Sequence, residues 1–395
     1  MRANIGCSQK SNVAQRKLVR INTASGKVIG IRRTTILGTV LVFNAFVAGA
    51  GFGFVLSFGP KRFSIFAVDL LPSMTTLPPF ILGGLLAAGI AALTLGGGLL
   101  CRGSVGVALF FNIRPVVVGL TVVALATSTP ELFTSLVAAW SGNTDLVLGN
   151  IVGSNIANVG LILAISALIC PLVIKLRLIR RDVPLTIAAT LLFCLLAWGS
   201  LGRWDGVVLL VLFGAYFVWV LRKPAIAMDE DEVRLSVSEG NGWRWNVVCI
   251  LAGTVLLAAG AEVLVASAEE TAVRLGVGEV LIGITLVAVG TSLPELSAAL
   301  AAAFMRQADL CAGNIVGSNL FNLLLVAGAS AAVHPIPVDN LFYVVEMPAL
   351  IAFTVLLWPF FLTGRVVSRR EGAVLLVIYG GFILLTCLAR TGVSG

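Results

Sequence analysis

Charge is scarce in this chain: 12% of its 395 residues are charged, against 58% hydrophobic residues and a mean hydropathy of +1.03. Soluble globular domains do not ordinarily combine those values, so a multispanning membrane protein is implied instead. Histidine is nearly missing, with His334 alone, and the seven cysteines form no Cys-x-x-Cys pair. That leaves no framework for a zinc or iron centre, and His334, just before Pro335, reads as an interfacial turn residue. Apart from Cys7, the cysteines (Cys101, Cys170, Cys194, Cys249, Cys311, Cys387) lie in or at the edge of apolar segments and read as small packing residues. Nucleophile–base pairs and cofactor loops are lacking too, which argues against an enzyme and against any covalent cofactor. The net charge is +8, yet Lys and Arg sit in the connections between apolar runs. The excess therefore reports orientation in a bilayer rather than nucleic-acid binding.

Apolar runs long enough to cross about 30 Å of hydrocarbon are what the chain has in abundance. They fall near 36–59, 80–101, 116–140, 145–170, 184–200, 206–221, 246–268, 280–304, 309–333, 341–362 and 372–389. Residues 1–34 hold eight Lys and Arg residues and no acid, which predicts a cytoplasmic N-terminus. Counting crossings from there puts three further basic links on the same side, around Lys175–Arg181, Arg222–Arg244 and Arg365–Arg370, and the link with His334 and Asp339 on the other. An integral, multi-pass protein of the cell membrane, for a bacterium the inner membrane, is expected. The segment 36–59 has a basic leader and small residues that also allow a signal peptide, but 34 residues precede its apolar run, so an extra N-terminal span is expected.

One stretch occurs twice. Gly119–Glu131, which contains Thr127-Ser-Thr-Pro-Glu131, returns as Gly283–Glu295 with Thr291-Ser-Leu-Pro-Glu295. Each copy continues without a gap into Gly-Asn-Ile-Val-Gly-Ser-Asn, at Gly149–Asn155 and Gly313–Asn319, and on to Asn158 and Asn322. About half the aligned positions are identical, which marks duplicated architecture. The likeness reaches back to Ala88-Gly89 and Ala252-Gly253, so each half begins one segment earlier and has five spans. An odd number of spans per half places equivalent segments in opposite orientations. The predicted fold is therefore an all-α polytopic membrane protein with two inverted five-helix repeats, ten core helices in all, plus the extra N-terminal one. Its parts are a basic arm and extra span (1–79), a first half (80–221), a cytoplasmic linker with the acidic run Asp229–Glu232 (222–245) and a second half (246–390).

None of the apolar segments contains Lys or Arg, yet four contain a glutamate: Glu131, Glu262, Glu295 and Glu346. A carboxylate at membrane depth with no basic partner must be protonated, reach water or hold a mobile cation, and insertion scales charge about 2.5–3.5 kcal/mol for an acid at a helix centre. Pro130 and Pro294 have no N–H for the carbonyls of Ala126 and Gly290, so each helix should break or kink where its glutamate sits. Thr127, Ser128 and Glu131 then share a face, as do Thr291, Ser292 and Glu295. Ser154 with Asn158, and Ser318 with Asn322, supply more oxygens at i, i+4 spacing. Hydroxyls, carbonyls and carboxylates without soft ligands suit hard cations such as Ca²⁺ and Na⁺. Packing alone accounts for Gly-x-x-x-Gly at 149–153 and 313–317, but not for central carboxylates. For Glu262 and Glu346 an interfacial or hydrogen-bonded role stands beside a transport role, and for Asp145 and Asp309 a place at a helix N-terminus suffices.

At these residues the chain resembles the cation/calcium exchanger superfamily, in particular the prokaryotic sodium/calcium exchanger-like branch with two alpha repeats. The resemblance rests on Thr127–Glu131 and Thr291–Glu295, each followed by Gly-Asn-Ile-Val-Gly-Ser-Asn, and extends to the plan over residues 80–390. It implies an antiporter that expels Ca²⁺ against Na⁺ by alternating access, with the ions bound between the repeats. Carried over by position, it implies Glu131 and Glu295 as shared carboxylates and Thr127, Ser128, Thr291 and Ser292 as hydroxyl or carbonyl ligands. Ala124 and Ala288 would add backbone oxygens, and Ser154, Asn158, Ser318 and Asn322 would complete the sites. Two departures stand out: Ala126 replaces the usual glycine of the first block, and Asn322 stands where some members have aspartate, which argues against potassium co-transport. A Ca²⁺/H⁺ antiporter remains open as the alternative, with a passive cation channel behind it.

Overall fold

In a computed structural model of the chain, the described residues are 77–111, 113–222, 242–275, 288–340 and 342–392, with 20–22, 28–30, 57–59 and 62–64. The predicted span at 36–59 lies outside them up to residue 56, as do 223–241 of the linker, with its acidic run, and 276–287 at the start of the second repeat block. Two short antiparallel hairpins precede the helices, β1 (Arg20–Asn22) with β2 (Val28–Gly30) and β3 (Ser57–Gly59) with β4 (Arg62–Ser64). The last three residues of the predicted extra span, Ser57–Gly59, are thus extended, and Gly59 and the following Pro60 are both poor helix formers.

The rest is helical. α1 (Pro79–Phe110) leads to α2 (Pro115–Thr127) and α3 (Thr129–Trp140), which meet at a bend of 45°. α4 (Thr144–Ile169), α5 (Val183–Leu196) and α6 (Arg203–Arg222) follow. The second series is α7 (Trp243–Arg274), α8 (Ala288–Thr291), α9 (Leu293–Phe304), α10 (Ala308–Val333), α11 (Phe342–Leu362) and α12 (Arg369–Gly392). Among the described residues, six helices are long and apolar enough to cross a membrane, and the α2–α3 pair makes a seventh span if counted as one. Proline opens α1, α2, α3, α5 and α9 at the first turn, where its missing N–H costs no helical bond.

Corresponding helices of the two series meet at close range. α1 and α7 run antiparallel: Gly89 faces Leu264, Gly96 faces Gly253 and Gly103 faces Asn246. A Cβ on Gly96 would sit 2.9 Å from the Gly253 carbonyl oxygen, and one on Gly253 would sit 2.8 Å from that of Gly96. Glycine is needed there because the two backbones touch. Two short strand pairs join the series again: β5 (Leu172–Val173) with β8 (Val366–Val367), and β6 (Ser200–Leu201) with β7 (Ile336–Pro337). Each pair ties together connections that alternating spans put on one face.

α4 and α10 form the centre, with 78% and 94% of their apolar windows buried. Around them α1, α6, α7 and α11 expose long apolar faces, and all seven tryptophans (140, 198, 204, 219, 243, 245 and 358) are at the surface, mostly near helix ends. Such a surface suits lipid, with amphipathic indoles at its two boundaries.

Candidate cation site

The two Pro-Glu blocks fold alike. Ser128 leaves helical geometry at φ −85°, ψ 5°, and Ser292 does so at φ −90°, ψ 5°, each just before the proline turn that opens α3 or α9. The glutamates consequently sit in the first turns of those helices, where the amide dipoles point their positive ends at the carboxylates. The break predicted at each proline therefore takes the form of a helix stop followed by a new helix start.

Both carboxylates are buried, at 1% exposure each. They lie within electrostatic reach of one another. The Ser128 hydroxyl donates to Glu295 Oε1 at 3.1 Å across the two series, while both oxygens of Glu131 and Oε2 of Glu295 find no donor. Among the described residues no Lys, Arg or His pairs with either acid. Two facing carboxylates without a donor between them repel unless a proton or a metal cation intervenes.

The neighbouring oxygens come from both series. Thr127 Oγ1 is 3.4 Å from Asn314 Oδ1 and 3.5 Å from the Ala124 carbonyl, which also accepts the Ser128 amide at 2.9 Å. Asn158 donates through Nδ2 to Asn319 Oδ1 at 2.9 Å, which leaves Asn158 Oδ1 unpaired. Ser154, Ser292, Ser318 and Asn322 are buried with side-chain oxygens that have no partner. Thr291 ends α8 and is partly exposed, and Ala288 opens the same helix. The chain turns π-helical at Asn158–Leu163 and Phe321–Val326, a widened turn often found at functional positions.

Four asparagines of the repeated heptads belong to this region and were not singled out from sequence. Asn150 donates to the Glu131 carbonyl at 3.1 Å and to Ser135 Oγ at 2.8 Å, and so pins the turn that carries the first carboxylate. Asn155 donates to the Ile151 carbonyl at 2.7 Å, while Asn314 and Asn319 make the cross-series contacts above. The signal was present, since both asparagine positions of the heptad recur in the two copies, but the partners of Asn314 and Asn319 lie in the other half of the chain.

The donor chemistry suits a hard cation: orphaned buried carboxylate, amide and hydroxyl oxygens with no thiol or imidazole among them. Among the described residues there is no group of three or more His, Cys, Asp or Glu side chains fit for a metal, so neutral oxygens must supply most of any coordination shell. The heptad glycines of the second copy do pack, as the sequence allows: a Cβ on Gly313 would meet the Val116 carbonyl at 2.7 Å. Asp309 pairs with Lys175 at 2.8 Å, and Asn143, rather than Asp145, caps α4 through the Leu146 amide.

The model of the family described as sodium/calcium exchanger protein matches residues 81–222 and 245–388. CaxA of Alkalimonas amylolytica is 34% identical over 71% of this chain and 90% of its own length. The sodium/calcium exchanger MaX1 of Methanosarcina acetivorans is 28% identical over 76% of this chain and 97% of its own. A solved structure of the sodium-calcium exchanger NCX_Mj, soaked with 10 mM Na⁺ and no Ca²⁺, superposes with a TM-score of 0.66 at 31% identity, covering 76% of this chain and 97% of that one.

Proposed function

The chain belongs to the sodium/calcium exchanger protein family, and on that premise we propose that it is a secondary antiporter that exchanges Ca²⁺ for Na⁺ by alternating access between two inverted five-span halves. The observation that carries this reading is the buried Glu131–Glu295 pair, three of whose four carboxylate oxygens find no donor. Structures of NCX_Mj were obtained with Na⁺, Ca²⁺ and Sr²⁺, and the alkaline-earth ions are the kind of substrate this oxygen set suits.

Charge decides the coupling. Two ionised glutamates carry −2, which one Ca²⁺ or two Na⁺ balance, whereas a third Na⁺ would leave +1 in a low dielectric. The ions compete for one carboxylate pair, so binding one displaces the other without a covalent intermediate. The empty, doubly charged site resists passing through the closed barrier, and the loaded site passes. In this role Thr127, Ser128, Thr291, Ser292, Ser154, Asn158, Ser318 and Asn322 contribute side-chain oxygens and Ala124 and Ala288 backbone ones. The basic N-terminal arm and the central linker lie on the cytoplasmic side.

The proton is the competing counter-ion, because two buried carboxyls within electrostatic reach of each other are also neutralised by H⁺. Uptake of ⁴⁵Ca²⁺ into vesicles holding the purified protein, under imposed Na⁺, K⁺ or H⁺ gradients, separates the readings. Uptake is expected to follow the outward Na⁺ gradient alone. Uptake driven equally well by a pH gradient without Na⁺ would replace the sodium reading by the proton one, and uptake that needs no counter-ion gradient would make the protein a channel.

A further inference from the structure

A second cluster of ionisable groups lies away from the carboxylate pair, where α2, α5 and α6 begin or end on one face. Arg114 is the residue before α2, Arg177 precedes the π turn Leu178–Asp182 ahead of α5, and Arg181 lies within that turn. Arg177 is within electrostatic reach of both Arg181 and Arg114, with Asp182 as the acid in range. Arg181 holds Asp182 Oδ1 through Nη2 at 2.6 Å and Nε at 2.7 Å, and its guanidinium carbon lies 4.5 Å over the Trp219 ring on α6. The remaining nitrogen, Nη1, is buried without an acceptor, and so is the hydroxyl of Tyr216, one turn before Trp219. Three guanidinium groups against one carboxylate leave the cluster short of negative charge, and buried donors without acceptors are costly.

The duplication shows that the fold does not require this cluster. The second half builds the same turn at Phe342–Glu346 and, around it, the matching helices α11 and α12. At the positions of Arg114, Arg177 and Arg181 it has Gly278, Leu341 and Val345, and in place of Tyr216 and Trp219 it has Phe382 and Leu385. Of the six residues, Asp182 alone keeps its character, as Glu346. Packing that succeeds in one half without arginines does not require them in the other, and the cytoplasmic bias of Lys and Arg accounts for their sign but not for the buried Nη1 of Arg181 left without an acceptor.

We propose that Arg114, Arg177 and Arg181 form a binding site for the phosphate of an anionic phospholipid headgroup. Guanidinium groups pair with phosphate oxygens through charge-assisted hydrogen bonds, and Asp182 with Trp219 holds Arg181 in a fixed orientation for it. The membrane is the source because Trp219 is 40% exposed on α6, a helix whose Val207, Val208, Val211 and Leu212 also face outward. An indole at such a surface marks the headgroup level. The acyl chains then lie along α6, and the site is separate from the cation site.

The test uses the full-length protein in detergent, incubated with phosphatidylglycerol or phosphatidylcholine, with retained lipid counted by mass spectrometry. Phosphatidylglycerol is expected to be retained preferentially. Arg114→Gln and Arg177→Gln should each lower retention roughly fivefold, and both together on the order of twenty-fold. Arg203→Gln, at the far end of α6, should change nothing. If the double variant does not purify, the single variants decide. Equal retention by wild type and the glutamine variants, or an equal loss in Arg203→Gln, overturns the site. Displacement of the lipid by inorganic phosphate at equal concentration overturns the lipid as its ligand.

Discussion

Glu131 and Glu295 bring two negative charges to one buried point, and the nearest donor hydroxyl, Ser128, reaches only one of the four oxygens. A glutamine in either place keeps the shape and removes one charge, so a divalent ion loses half of its charge balance. Glu131→Gln and Glu295→Gln are each expected to lower Na⁺-driven ⁴⁵Ca²⁺ flux at least about a hundredfold while the protein still inserts and purifies, since removing a buried charge does not itself disturb packing. Near-normal flux in either variant would remove the carboxylate pair from the mechanism. Asn322 is buried with both side-chain polar atoms unpaired, so an added carboxylate there has room for an ion rather than an existing partner to break. Asn322→Asp raises the available charge to −3, which three Na⁺ balance, and the Na⁺ dependence of Ca²⁺ flux should steepen, with a Hill coefficient about one unit higher. An unchanged Na⁺ dependence would mean that this position sees no ion. The candidate site was legible to the extent that it is written twice: two carboxylates, their hydroxyl neighbours and the following Ser and Asn stand at fixed spacing in both halves. The cross-half contacts were not legible. Nothing in one copy says that Asn314 lies against Thr127 or Asn319 against Asn158, because those pairings exist only once the two copies face each other.

At the scale of elements, the same local problem is solved in two ways. The turn after α3 passes through Gly142 at φ 74°, and the turn after α9 passes through Arg306 at φ 56°. Both are closed by the same backbone bonds, Gly142 to Ala139 and Asn143 to Ala138 in one, Arg306 to Ala303 and Gln307 to Ala302 in the other. A left-handed residue ending a helix suits glycine and strains a side chain that begins with Cβ. Arg306 is exposed, so replacing it removes strain without removing a core contact. Arg306→Gly is expected to stabilise the protein by about 0.5–1 kcal/mol, seen as a rise of a few degrees in the unfolding temperature of the detergent-solubilised protein. A fall instead would show that the arginine side chain makes a contact worth more than the strain. Apolar runs revealed most helices because length and hydropathy are local properties: 145–170 and 309–333 correspond to α4 and α10 within a residue or so. The π turns and the two-residue ladders β5–β8 and β6–β7 were invisible, since each strand is too short to show a period and its partner lies in the other half.

At the scale of the molecule, the contacts between halves are reciprocal. Gly89, Gly96 and Gly103 on α1 meet Leu264, Gly253 and Asn246 on α7 in descending order, so two helices that correspond in sequence lie antiparallel. α6 packs its Gly206 on Gly328 of α10, while α12 packs its Gly372 on Ala164 of α4, the same contact with the halves exchanged. Across one of these connections the ion pair Lys175–Asp309 is closed at 2.8 Å, whereas the corresponding residues of the other half, Asp339 and Asp145, are both acids. The scaffold is therefore doubled while its charges are not, which is what a carrier with two unlike faces requires. Antiparallel copies make a prediction that parallel ones do not: equivalent residues must open to opposite sides of the membrane. Ser141 and Met305 are such a pair, both exposed, in the turns after α3 and α9. In a background freed of native cysteines, Ser141→Cys should react with a membrane-impermeant maleimide added to intact cells, and Met305→Cys should react only after permeabilisation. The reverse pattern would keep the inverted halves and place the N-terminus outside. Labelling of both from the same side would rule out inversion, and with it any exchange of access around a single central carboxylate pair.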